Sequence, residues 1–228
     1  MVQEHTIGRI IDVKEGGEVV IHATLPNLQH ALDRLYDKVE IILPDGRRIS
    51  PEQRRKVYAI LKDISDFVNG QHESADIEEM KQIMKWDFIL KCMESQERRL
   101  FSLSSCDMST ARNFITYLID FIIENDIPTK APLLEQCEDV GRYVYACLMA
   151  RKCCVCGAGD AHVHHCEGSR IGAGNDRDKV HHLGREVLPL CAKHHTECHN
   201  DEVGFIERYH LQKVKLDEAL CKRLKLKK

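Results

Sequence analysis

"RKCCVCGAGDAHVHHC" runs from Arg151 to Cys166, and "LPLCAKHHTECHN" runs from Leu188 to Asn200. Six of the eleven cysteines and eight of the thirteen histidines lie between Cys153 and His199. Cys153 and Cys156 form a C-x-x-C pair followed by Gly157. Two thiolates at that spacing grip one tetrahedral ion from a tight turn, and the glycine lets the chain fold back over it. Cys191-x-x-His194 supplies the matching half. The four residues predict a structural Cys3His zinc site, able to close a domain too small to be held by its core alone. Cys154 is an alternative to Cys153, and Cys166 and Cys198 are near enough to compete. Accidental pairs of buried thiols are the bland alternative; ligand spacing in both halves argues against it.

A structural ion leaves other imidazoles to explain. His195 and His199 are four residues apart, one above the other on a helix face, which suits two ligands of one metal. His164 and His165 are adjacent, so in an extended segment they point to opposite sides. One can bind metal while the other meets substrate. A phosphodiesterase needs that division: a divalent ion to polarise the phosphate and a separate base to take a proton from water.

The spacing of "CCVCG", "HVHHC" and "EVLPLCAKHHTECH" resembles the HNH endonuclease, or ββα-metal, motif with zinc knuckles, over roughly Arg151 to Tyr209. The resemblance implies that His165 is the general base and that His164, His195 and His199 hold a catalytic Mg²⁺ or another divalent metal. It gives Cys153, Cys156, Cys191 and His194 to the zinc knuckles. The motif's middle asparagine, which organises the loop between base and helix, aligns with Glu186. A glutamate there could still orient the loop or bind the metal.

Upstream, residues from about His5 to Ala23 read as two strands around Gly16-Gly17, and "LPNLQHALDRLY" as a short helix. "KVEIILPDGRRIS" reads as a further strand ending in a turn. Ser50 and Gln53 form a capping box with Pro51 in the first turn, opening a helix whose apolar face is Val57, Ile60, Leu61, Ile64, Phe67 and Val68. Further helices are expected at about 76–93, at 109–124 with Ser109 as its cap, and from about Pro132 towards Ala150. The fold class is therefore α+β: strands and then helices over 1–150, a small zinc-stapled ββα-metal domain over 151–210, and a basic tail over 211–228.

The charge is slightly negative overall, −3, so the chain is no uniformly basic nucleic-acid binder. Basic residues gather in two places. Arg47, Arg48, Arg54, Arg55 and Lys56 could track a phosphate backbone, with Tyr58 stacking on a base. Lys222 and Arg223 lead the basic C-terminal run, which could anchor DNA. A solvated helix face is the commoner meaning of such runs. "GRRISPEQRRKVYAILKDISDFV" followed by "FSLSSCDMSTARNFITYLIDFI" is similar to the Orf (NinB) recombination-mediator family of lambdoid phages, over about Ile42 to Tyr145. That similarity implies a homodimer that binds single-stranded or branched DNA and works with single-strand-binding protein and a recombinase. Nothing at the N-terminus marks export and no apolar run spans a membrane, so a cytoplasmic location, in a bacterial host if phage-encoded, is expected.

The sequence thus points to a phage-type recombination protein that binds single-stranded DNA and carries an HNH module hydrolysing phosphodiester bonds. The alternative is a non-catalytic mediator whose zinc module only binds DNA.

Overall fold

The computed structural model describes residues 6, 8–25, 28–33, 35, 46–70, 74–92, 100–171 and 180–227. The chain divides into two compact units, Met1–Pro44 and Asp45–Lys228.

In the first unit, β1 (Gly8–Val13) and β2 (Val19–Ala23) pair antiparallel from Gly8↔Ala23 to Val13↔Val19, with an irregularity between Ile10 and Asp12. Gly16 and Gly17 turn the hairpin at φ +86° and +87°, a region in which a Cβ is strained. The helix expected next is α1 (Leu28–Asp33). The strand expected over "KVEIILPDG" falls mostly on residues outside the described set; beyond them Arg48 makes one antiparallel bridge with Asp107.

The second unit opens with α2 (Pro51–Asn69), α3 (Ser74–Cys92) and α4 (Met108–Glu124). The capping box is present: Ser50 Oγ accepts from Gln53 N at 3.0 Å, and Gln53 Oε1 accepts from Ser50 N at 3.1 Å. Val57, Ile60, Leu61 and Ile64 are buried as the period demands, but Phe67 and Val68 are exposed. They lie in the last turn of α2, which Gly70 closes in a left-handed conformation with its N–H on Asp66 O. Opposite, Phe114, Ile115, Leu118, Ile119 and Ile122 of α4 are buried, and Phe88 of α3 sets its ring edge-on to Phe114 at 5.3 Å between centroids. The cap of α4 is Asp107 rather than Ser109: its carboxylate accepts from both the backbone N and the Oγ1 of Thr110, each at 2.7 Å.

The helix expected from Pro132 is two. After α5 (Leu133–Gln136) the chain turns extended at Cys137, and Asp139 caps α6 (Val140–Ala150) afresh. Helix α6 packs on α4. The elements that follow are β3 (His162–His165), β4 (Glu186–Leu190), α7 (Ala192–Asn200), α8 (Glu202–Tyr209), β5 (Val214–Lys215) and α9 (Glu218–Leu224). The partners of α6 among these are β4, β5 and α9. The boundary expected near Arg151 therefore lies inside one unit, with α6 as the shared wall. The stretch expected as a tail supplies β5, the third strand of the antiparallel sheet β3-β4-β5, and α9, whose Leu220, Cys221 and Leu224 are buried. Leucines at positions 220 and 224 put one apolar stripe inward, while Lys222 and Arg223 face out. The α+β class stands. Among the described residues no helix is long and apolar enough to cross a membrane.

Gln53 ties α2 to α4 and to the loop before α6, because its Nε2 donates to Met108 O at 3.3 Å and to Glu138 Oε2 at 2.8 Å. Replacing it by glutamate keeps the cap but sets one carboxylate against another. Gln53→Glu is expected to cost about 2 kcal/mol at neutral pH. Urea titrations at several pH values check it: the mutual repulsion raises the folded-state pKa of the new acid, so the deficit should shrink as pH falls through the carboxylate range.

Candidate metal and nuclease site

The knuckle begins where α6 ends. Gly157, at φ +72°, turns the chain so that its N–H reaches Cys153 O at 2.8 Å, and Cys153 N reaches Ala158 O at 2.7 Å. Across from this turn, Cys191 is the N-cap of α7, which places His194 in the helix's first turn. The ligand atoms of Cys153, Cys156, Cys191 and His194 all lie within 4.8 Å of one another. Cys156 Sγ and Cys191 Sγ are 3.8 Å apart, far beyond a disulfide bond. That is the edge, about 3.8 Å, of a tetrahedron with bonds of about 2.3 Å from metal to sulfur. His194 Nδ1 lies 3.2 Å from Cys191 Sγ and 3.4 Å from Cys153 Sγ. Burial pushes the Cys153 thiol up to about 11, so an ion taken up here displaces its proton. Cys154 is buried and turned into the core, its N–H on Pro189 O, and stands outside the cluster.

A second cluster lies on the other side of α7. His164, His195 and His199 bring their ligand nitrogens within 4.8 Å of one another. The rings of His195 and His199 are 4.6 Å apart between centroids, and His164 sits 5.0 and 4.7 Å from them. His164 is fully buried, whereas His199 is exposed, so the cluster is closed below and open to solvent above. Burial, and then the neighbouring His199, lower the pKa of His164 and favour the neutral imidazole that a metal requires. Its Nε2 faces Glu202 Oε2 at 3.5 Å and Cys198 Sγ at 3.4 Å, while its buried Nδ1 has no hydrogen-bond partner. An ion held with His195 and His199 would satisfy that atom, so the donor set fits a divalent metal.

Glu202 anchors this corner. Both carboxylate oxygens accept from Glu167 N, at 2.8 and 3.0 Å, and Arg170 and Lys213 pair with them at 3.1 and 3.2 Å. Burial opposes its ionisation, yet the Glu167 N–H and the two cations hold its pKa down at about 2. His164, Cys166 and Glu202 are also close enough to hold an ion. Arg170 and Lys213 already neutralise this carboxylate, and burial keeps the Cys166 thiol protonated with a pKa of about 12, so the set is a support for His164.

His165 points to the opposite face of β3 from His164 and meets His182, with Nε2 3.0 Å from Nδ1. Glu186 opens β4. Its N–H donates to Ser169 Oγ at 3.0 Å and its C=O accepts from Cys166 N at 2.9 Å. Its main chain therefore ties together the loop after β3, and the residue belongs to no metal-sized cluster among the described residues.

Two antiparallel strands stand together with a helix bearing three histidines, two of them in the histidine cluster and one in the adjoining Cys/His knuckle. A family model described as "Putative HNHc nuclease" matches residues 26–227. The chain belongs to this HNHc nuclease family. Membership gives it a nuclease module and implies DNA as the substrate, and it covers the helical bundle as well as the metal clusters. The hairpin of β1 and β2 precedes the matched span. No curated protein and no solved structure matches the chain.

The expected basic residues are scattered in their engagements. Arg47, Arg48 and Arg55 are exposed, as is Lys222. Arg54 donates to the carbonyls of Leu103 and Ser104 at 2.9 and 3.0 Å, and Lys56 pairs with Glu138 at 3.2 Å. Arg223 donates to Met149 O at 2.7 Å. Tyr58 donates to Glu78 at 3.3 Å and lies beneath the Lys81 ammonium, so it is engaged within the bundle. Glu202 and His182 went unread in the sequence. Glu202 is a helix-start acid like many others, and His182 follows a histidine of no special spacing.

The Cys3His geometry predicts one tightly held metal ion per chain. Elemental analysis after dialysis should find it, and Cys156→Ser should release it and lower the melting temperature by at least about 10 °C. A fully folded, metal-free wild type would overturn the assignment.

Proposed function

We propose that this protein is a metal-dependent DNA endonuclease of phage-type recombination, with zinc in the knuckle and Mg²⁺ or a similar divalent ion in the histidine cluster. The observation that carries the reading is the split of adjacent imidazoles: His164 turns to His195 and His199, and His165 turns away from them. A bound ion supplies charge to stabilise the scissile phosphate and the departing oxygen. His164, His195 and His199 hold it, with the exposed His199 side left open to the DNA. His165, on the other face, takes the proton of the attacking water. Glu186 stands where the motif has asparagine and serves through its main chain, by fixing the loop between base and helix.

The same reading gives single-stranded or branched DNA as the preferred substrate, held partly by Arg47, Arg48, Arg55 and Lys222, with single-strand-binding protein, a recombinase and a second copy of the chain as partners. Support comes from the Orf-like pattern over Ile42 to Tyr145 and the exposure of those four cations. A second reading, a mediator that binds DNA without cutting it, is favoured by one observation, the absence of Glu186 from the metal-sized clusters among the described residues.

Incubation with single-stranded, forked and supercoiled DNA in Mg²⁺, Mn²⁺ or Ni²⁺ separates the two. Wild type should cut, and His165→Ala should cut at least about 100-fold more slowly while binding DNA equally well. No cleavage by either, with tight single-strand binding, establishes the mediator. Affinity for single strands should fall steeply between low and moderate salt. Equal or tighter binding to blunt duplex would overturn the preference for single strands.

A further inference from the structure

His182 lies outside every motif position, yet only 1% of it is exposed, and its Nδ1 sits 3.0 Å from His165 Nε2. The rings are 5.1 Å apart between centroids and inclined at 51°, a hydrogen-bonding rather than a stacking arrangement. At that distance one nitrogen must donate and the other accept, so each ring fixes the tautomer of the other.

The backbone around His182 is fastened on several sides. Its N–H donates to Lys227 O at 3.0 Å, and its C=O accepts from Arg185 N at 3.1 Å. Gly184, at φ +78°, donates to Leu216 O at 2.7 Å, and Leu216 returns a bond to Arg185 O at 2.9 Å. The Arg185 guanidinium then bonds His181 O at 2.7 Å and Ser169 O at 2.9 Å. So the turn that carries His182 is held between the loop after β3 and the chain around β5 and α9.

We propose that His182 is a positioning residue for His165. Its Nδ1 accepts the Nε2–H of His165, which makes Nδ1 the basic nitrogen of His165 and fixes the ring's direction. The inference rests on His165 being the base. The proton leaving water ends on His165 Nδ1, and the oxygen that loses it bonds to phosphorus while the bond from phosphorus to the departing DNA oxygen breaks. The departing oxygen keeps the electron pair and takes a proton from solvent, and the Nε2 proton stays in the bond to His182. The C-terminal β5–α9 segment is thereby part of the active site, because it holds the turn that holds the base.

The test joins spectroscopy to kinetics on the full-length, metal-loaded protein. Long-range proton–nitrogen correlation spectra should show His165 as the Nε2–H tautomer in wild type. They should show the same in His182→Asn, whose Oδ1 falls near the lost Nδ1, and a mixture of tautomers in His182→Ala. On supercoiled DNA with Mn²⁺, His182→Ala should lose about 10–100-fold in kcat with KM within about twofold, and His182→Asn should recover most of the loss. An Nδ1–H tautomer in wild type overturns the proposal, and so does a His182→Ala variant with the wild-type tautomer or the wild-type kcat. A wild type that cuts no DNA removes the nuclease reading, and the tautomer still decides whether His182 positions His165. If His182→Ala fails to fold, the wild-type tautomer and the His182→Asn kinetics carry the decision.

Discussion

The rotation of α7 is the constraint on which the rest of the site depends. A helix turns about 100° per residue, so once His194 is committed to the thiolates of the knuckle, the bearings of its neighbours are set. His195 and His199 then share the flank that looks onto β3, and His164 is the strand residue waiting there. The knuckle and the histidine cluster are therefore mechanically joined: an ion held at the start of the helix would aim the two imidazoles further along it. A helix of nine residues has little stability of its own, and an ion held by Cys191 and His194 would replace the length it lacks.

β3 does the complementary work. Its alternation sends His164 to the rings of His195 and His199 and His165 to His182, so the two adjacent imidazoles have different surroundings. The register with β4, in which His165 faces Val187 and His164 faces Leu188, places both against a strand that is buried along its length past Glu186. Glu202 adds the last restraint by fixing the turn that leaves β3 through Glu167 while standing beside the ring of His164.

Local order was legible in the sequence wherever partners are near neighbours. The C-x-x-C and C-x-x-H pairs, the histidines four apart and the Ser50–Gln53 box each carry their geometry in their spacing. Where two choices were locally equal, tertiary contacts decided. Asp107 and Ser109 are both good caps, and Asp107 wins because the bridge to Arg48 holds its backbone in the extended conformation that a cap needs. Long-range pairs without ligand spacing left no trace: nothing in "KVHHLG" announces that its second histidine meets His165, seventeen positions earlier. The C-terminal run was read by its charge, although its leucines, at helical spacing, decide where it goes. The domain boundary was placed by composition, which changes sharply at Arg151, whereas packing continues through α6.

The bond from His182 to the carbonyl of Lys227 also has a meaning in time. Ribosomes deliver a chain from its N-terminus, so the histidines of β3 and α7 emerge before the segment that braces their neighbour. The metal-binding residues can gather while residues 214–227 are still being made, but the turn at His182 cannot lock until they arrive.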